Sequence, residues 1–212
     1  MDNVQEINPQ IYKKAGWIAI IAGILMWLLI VFRFFGPSVG TIFSFKFESL
    51  LIVQILFTIY PLWRFRGLLN DNFEFHNADG LINGLAITYA ALIIAELTIV
   101  ILNFSMGDAA RSSQFLPSPP IIAYIEGVQV VRGLVSIVAS IVWIVFALRI
   151  LRLPDDLRGM LRPFAITAIV ANALCLTIIL APFGTLVHSV CIIILGMIFL
   201  RMANPPAQVD FV

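Results

Sequence analysis

The side chains able to do chemistry in this chain are few, and most interrupt or border long apolar runs. Glu48, Glu96, Arg132 and His188 lie at or inside such runs, Glu126 and Gln129 stand about one to two turns from Arg132, and Asn172 sits in the middle of another run. An isolated charge in hydrocarbon costs at least about 2.5 kcal/mol on insertion scales, so such groups are expected to face one another and to mark a site. Glu96 and Arg132 form the favoured pair, because opposite charges on neighbouring helices neutralise each other. That leaves Glu48, Glu126 and His188 as candidate ligand or proton groups. Counted at about 1.5 Å per residue from the basic end of each run, Glu48, Glu96, Arg132 and His188 all come out at roughly 20–25 Å. The reading is a polar layer of Glu48, Glu96, Glu126, Gln129, Arg132 and His188, with Asn172 near the midplane.

The chemistry open to this layer is narrow. Carboxylate-bridged metal sites in helix bundles use Glu-x-x-His pairs, and neither Glu48 nor Glu96 has a histidine three residues on. Bis-histidine haem would need two imidazoles at one depth, whereas His76 falls in a loop and His188 inside a run. Glu74, His76 and Asp79 cluster within NDNFEFHNAD, but one imidazole with flexible carboxylates is a weak metal site and reads better as a solvated turn. Cys175 and Cys191 fall at similar depths on successive helices and lack Cys-x-x-Cys spacing, so they read as small apolar fillers. The chain has no G-x-S-x-G turn, no H-E-x-x-H and no Gly-rich phosphate loop followed by Lys. No catalytic residue, metal or cofactor is assigned.

The elements that must carry these residues follow from composition. Of 212 residues, 61% are hydrophobic and only 12% charged, far from the roughly 25% charged of soluble domains. Six apolar runs are each near the length that crosses a bilayer as helix. They are Ala15 to Phe35, Phe47 to Trp63, Leu81 to Phe104, Arg132 to Leu148, Pro163 to Pro182 and Thr185 to Leu200, and Pro120 to Val131 offers a helical extension of the fourth. Continuous rather than alternating apolarity favours helices over barrel strands. The expected fold class is all-α: a single polytopic membrane bundle of six transmembrane helices over residues 1–212, in three antiparallel helical hairpins. Residues 1–14 and 202–212 are short cytoplasmic segments in this reading.

Orientation comes from the basic residues, since Lys and Arg in short loops favour the cytoplasmic side. With the amino terminus inside, Lys13, Lys14, Arg64, Arg66, Arg149, Arg152, Arg158, Arg162 and Arg201 are cytoplasmic, nine of the thirteen. Both termini are then cytoplasmic, in a plasma or bacterial inner membrane. Lys13 and Lys14 precede a full-length span, so no cleaved signal peptide is expected. PLWRFRG, ALRILRLP and IFLRMANPP read as helix carboxyl ends, where the macrodipole and headgroup contact favour Arg. Arg149, Arg152, Arg158 and Arg162, around LPDDLRG, are the candidate contact with anionic lipid or a partner. Pro182 to Thr185 reads as a tight link between the last two helices.

A net charge of +1 with topology-determined Arg clusters excludes nucleic acid as a partner. The expected partners are membrane lipids and other membrane-protein subunits or further copies of the chain. Few polar groups line any path, and no Gly or Pro breaks corresponding mid-spans as alternating-access carriers require. The first functional expectation is therefore an accessory or structural subunit of a membrane complex. The alternative is a small-solute, ion or proton transporter or channel that uses the polar layer as its binding site.

Overall fold

The protein is described by a computed structural model covering residues 9–35, 42–73, 75–106, 119–153, 157, 159–177 and 179–204. These residues form six α-helices: α1 (Pro9–Phe35), α2 (Ile42–Phe73), α3 (Asp79–Met106), α4 (Pro119–Ile150), α5 (Leu161–Leu176) and α6 (Ala181–Ala203). One 3-10 turn, His76–Ala78, joins α2 to α3, and no strand occurs among the described residues. Each apolar run thus becomes helix over most or all of its length, the state that satisfies backbone N–H and C=O groups within the segment where no water can. Four helical stretches, Pro9–Phe32, Asp79–Leu102, Ala123–Ile150 and Ala181–Ala203, are long and apolar enough to cross a membrane. Their outward faces carry Trp17, Ile21, Ile24, Ile87, Ile94, Ile101, Val130 and Leu134, a surface suited to lipid rather than water.

Three element boundaries differ from expectation. PLWRFRG does not end a helix: α2 continues through Arg64 and Arg66 to Phe73, with Pro61 inside it. Arg64 and Arg66 therefore owe nothing to a carboxyl-terminal dipole; Arg66 is held instead by Asp79. Helix α5 stops at Leu176, and the turn before α6 begins with Thr177 and ends with Leu180, so Pro182 and Thr185 fall in the first turns of α6 rather than in a link. Pro at the start of a helix loses no intrahelical bond, which is why Pro182 opens α6 instead of breaking it. Finally, α1 begins at Pro9 and α6 runs to Ala203, so the short terminal segments are partly helical. The fourth run does extend upstream as one helix from Pro119.

Each helix packs on its neighbour in sequence, and α6 closes against α1 to complete a ring. The closure is the most extensive interface, and its geometry is set by small residues. A methyl group placed on Gly196 would lie 2.7 Å from the Gly16 carbonyl oxygen, and one on Gly23 would lie 2.7 Å from the Ser189 carbonyl oxygen. The two contacts are seven residues apart on both helices and run in opposite directions, so α1 and α6 are antiparallel and touch backbone to backbone. Ala15, Ala19 and Ala22 complete this buried face of α1. Close approach through small residues is how helices gain dispersion contact when no hydrophobic effect drives them together.

Aromatic side chains fill the middle of the ring. Phe65 of α2 meets Phe146 of α4, Phe164 of α5 and Phe199 of α6 edge-on at centroid distances of 6.2, 5.3 and 6.2 Å. Trp143 packs on Phe146 and Phe164 at 5.7 and 6.3 Å. Phe199 stacks on Tyr12 of α1 at 5.9 Å. Between α4 and α5, Leu157 plugs this core from the connecting turn. Gly159 there has a positive φ of 72 degrees, the left-handed conformation that glycine adopts without steric cost.

Gly196→Ala forces a Cβ into the α1 backbone and should cost about 1–3 kcal/mol, the usual range for overpacking. Gly67→Ala, which meets only open space, should be neutral or slightly stabilising through helix propensity. Thermal unfolding in detergent micelles would compare the two; equal Tm values would contradict the close-packed closure.

Candidate functional site

The expected Glu96–Arg132 pair forms. Arg132 Nε lies 2.9 Å from Glu96 Oε1, across the α3–α4 interface. Only 1% of the Glu96 side chain is exposed, against 19% for Arg132, so the guanidinium both neutralises the carboxylate and covers it. Antiparallel packing makes this possible: α3 and α4 meet through a seam on which Ile125, Val128, Arg132 and Val135 are the half-buried positions of α4.

His188 belongs to a second group. Its ring packs edge-on against Trp143 at 5.0 Å, and its Nδ1 lies 3.5 Å from Asn172 Nδ2, the long end of hydrogen bonding. Asn172 also donates to the Ala168 carbonyl at 2.8 Å, and Trp143 Nε1 donates to the Tyr89 hydroxyl at 2.9 Å. Tyr89, partly buried, and Trp143, Asn172 and His188, buried, thus link α3, α4, α5 and α6 through one polar and aromatic string. Trp143 is eleven positions after Arg132 on α4, and Tyr89 is seven positions before Glu96 on α3. At the helical rise these separations are roughly 16 Å and roughly 10 Å. The polar groups therefore divide into two levels.

The two levels arise because the helix ends do not share one plane, so equal residue counts from those ends are not equal depths. Trp143 is seven positions from the end of α4 and His188 fifteen from the end of α6, yet they touch. The two helix ends are therefore staggered by about 12 Å along the bundle. Comparison of the chain with protein-family models, curated proteins and solved structures finds no match.

The remaining candidates disperse. Glu126 and Gln129 are exposed on the amino-terminal half of α4. The side chain of Glu48 and all of Arg158 lie outside the described residues. Arg149, Arg152 and Arg162 are exposed around the α4–α5 connection, as a lipid or partner contact requires. Cys175 and Cys191 are free thiols that turn to different carbonyls, those of Ala181 at 3.9 Å and Phe164 at 3.7 Å. In the α2–α3 turn, Asp79 is occupied by Arg66, which donates from two nitrogens at 2.7 and 3.0 Å, and by Asn70 at 3.1 Å. His76 Nδ1 stands 3.8 Å from the same carboxylate, and Glu74 lies outside the described residues. Among the described residues no group of three or more His, Cys, Asp or Glu could hold a metal ion.

Sequence reasoning does not single out Tyr89 and Trp143. Their signal is an amphipathic aromatic in mid-run, away from the interfacial belts where Tyr and Trp usually sit; a buried hydroxyl or indole N–H there needs a partner. Gln54 and Thr58 of α2 are a further buried polar pair, at 3.0 Å, closed on the helix's own backbone. Of these arrangements, the Glu96–Arg132 pair specifies how α3 sits on α4, and the Tyr89–Trp143–Asn172–His188 string ties four helices. Both have polar atoms directed at other helices of the bundle.

Arg132→Leu leaves the Glu96 carboxylate buried beside an apolar side chain and should destabilise by about 3 kcal/mol, whereas Glu96→Leu with Arg132→Leu should recover most of that loss. A double-mutant cycle of unfolding in mixed micelles would measure it. Additive single losses would mean that the two side chains do not act as a pair.

Proposed function

We propose that the chain is an accessory or structural subunit of a membrane complex, presenting the free face of α4 to a partner helix. One observation carries the reading, the mismatch between α4 and the helix that follows it. Helix α4 has 32 residues and α5 has 16 residues. Their lengths are about 48 Å and about 24 Å at the helical rise. Trp143 and Phe146, in the carboxyl-terminal half of α4, are the side chains that pack with Phe164 around the centre of the ring. The amino-terminal half of α4 therefore runs past α5, with one seam on α3. On the opposite face Ala123, Gly127, Val130, Leu134, Ile137 and Ile141 are all exposed, Val130 and Leu134 by 62% and 58%. Their alternating spacing of four and three is that of a knobs-into-holes seam. Gly127 has open space around it, as a close helix approach needs.

The six-span, three-hairpin arrangement belongs to the same proposal. Antiparallel contacts between α1 and α6, α2 and α3, α3 and α4, and α5 and α6 support alternating directions. Alternation in turn brings Lys13, Lys14, Arg66, Arg149 and Arg201 to one end, which the positive-inside bias assigns to the cytoplasm of a plasma or bacterial inner membrane. The transport alternative gains less support, since interlocked aromatics fill the centre of the ring and the polar groups pair with each other.

Extraction in mild detergent should recover the protein with a fixed-stoichiometry partner, a different subunit or a second copy. Gly127→Leu should release that partner without lowering the Tm of the chain itself. Recovery of the unaltered protein as a monodisperse monomer would overturn the subunit reading. Topology is tested separately: with Cys175 and Cys191 replaced by Ala, Lys14→Cys and Arg201→Cys should react with an impermeant maleimide only after cells are permeabilised. Labelling of either in intact cells would contradict cytoplasmic termini.

A further inference from the structure

At the basic end of the bundle, α1 and α2 part to leave a cleft of about 490 Å³ lined by Gln10, Lys13, Lys14, Trp17, Ile18 and Tyr60. We propose that this cleft binds one anionic phospholipid, with Lys13 and Lys14 on its phosphate and Trp17 and Ile18 along the first carbons of its acyl chains.

The five α1 residues follow the first at offsets of three, four, seven and eight, so they share one helix face. A different face of the same turns, Ala15 and Ala19, is buried, and Gly16 sits backbone to backbone on α6. The helix cannot roll to carry the lysines elsewhere. Neither Lys13 nor Lys14 is in an ion pair among the described residues. On the α2 wall Arg64 lies over the Tyr60 ring at 5.5 Å, and Arg64 and Asp71 both act electrostatically on Tyr12. No carboxylate is among the residues that line the cleft, so the two lysines remain as net positive charge facing it.

The order of groups along α1 selects the ligand. Gln10, Lys13 and Lys14 come first. Trp17 and Ile18 follow about 5–6 Å further into the apolar part of the helix. Trp17 is 53% exposed, with its ring free to lie against a guest. A free phosphate would use the cations and leave the apolar wall idle. An amphiphile uses both, in the order that the bilayer itself presents them, with the amphipathic Trp and Tyr at the boundary between headgroups and acyl chains. The volume falls within the roughly 300–1,000 Å³ of ordinary ligand clefts.

The full-length protein, purified in neutral detergent and titrated with dioleoylphosphatidylglycerol, should retain one lipid in native mass spectrometry, and dioleoylphosphatidylcholine should be retained far more weakly. Each lysine near an anionic surface contributes roughly fivefold, so K13Q with K14Q should weaken retention about thirtyfold. K13Q alone should weaken retention about fivefold, whereas R201Q removes one cation at an exposed position outside the cleft and should leave retention nearly unchanged. W17A should weaken retention while leaving the lysines in place, and it serves as the test should the lysine variant fail to fold. Equal losses in K13Q and R201Q would mean diffuse surface attraction and overturn the site. So would equal retention of the zwitterionic lipid, unchanged retention in W17A, or complete displacement of the lipid by millimolar inorganic phosphate, which would reassign the cleft to a free anion.

Discussion

The architecture depends on α6 being able to lie directly against the backbone of α1. Six helices packed in sequence order make an open palisade unless the last reaches the first, and here the reach is decided by Gly16, Gly23 and Gly196. With a Cβ at those positions the two helices would be pushed apart, and Phe199 could no longer stack on Tyr12 while meeting Phe65 from the other side. The aromatic centre is thus a consequence of ring closure, because only a closed ring offers Phe65, Phe146, Phe164 and Phe199 to one another. Dispersion among well-fitted side chains, rather than exclusion of water, is the force available when lipid surrounds the helices.

Polar groups obey the same confinement. Thr98, Ser136, Thr167 and Thr185 donate their hydroxyl protons to carbonyls one turn back on their own helix, the local bond open to short hydroxyl side chains. Longer polar side chains cannot all be satisfied so locally, and they become the ties between helices. Glu96 reaches Arg132, Asn172 approaches His188, and Trp143 donates to Tyr89. Each tie fixes the axial register of one helix pair, which apolar packing alone would leave free to slide. This makes the polar groups structural in their immediate effect, and it leaves the α4 ridge and the α1–α2 cleft as the surfaces on which the two proposals rest.

Much of this was legible residue by residue. The Glu96–Arg132 pair followed from the cost of leaving either charge in an apolar medium and from the short distance that a helical hairpin leaves between them. The extension of α4 upstream of Arg132 followed from apolar residues continuing through Pro120 to Val131. The placing of His188 beside Asn172 and Trp143 did not follow, because residue counting from each helix end carries no information about how the ends are staggered. Nor did the continuation of α2 past PLWRFRG: two arginines and a proline read as a stop, yet Arg66 has Asp79 of the next helix to hold it, and that contact exists only in three dimensions.

Sequence by itself determined the all-helical class, the positions of the apolar runs and which charge must find which partner, since these rest on free energies of transfer that belong to each segment alone. Tertiary structure decided the ring closure, the two levels of polar groups and the cleft beside Lys13 and Lys14. Those depend on axial stagger and on distances between helices, and such distances are set where two particular surfaces meet: a glycine on one helix counts only when another backbone arrives opposite it.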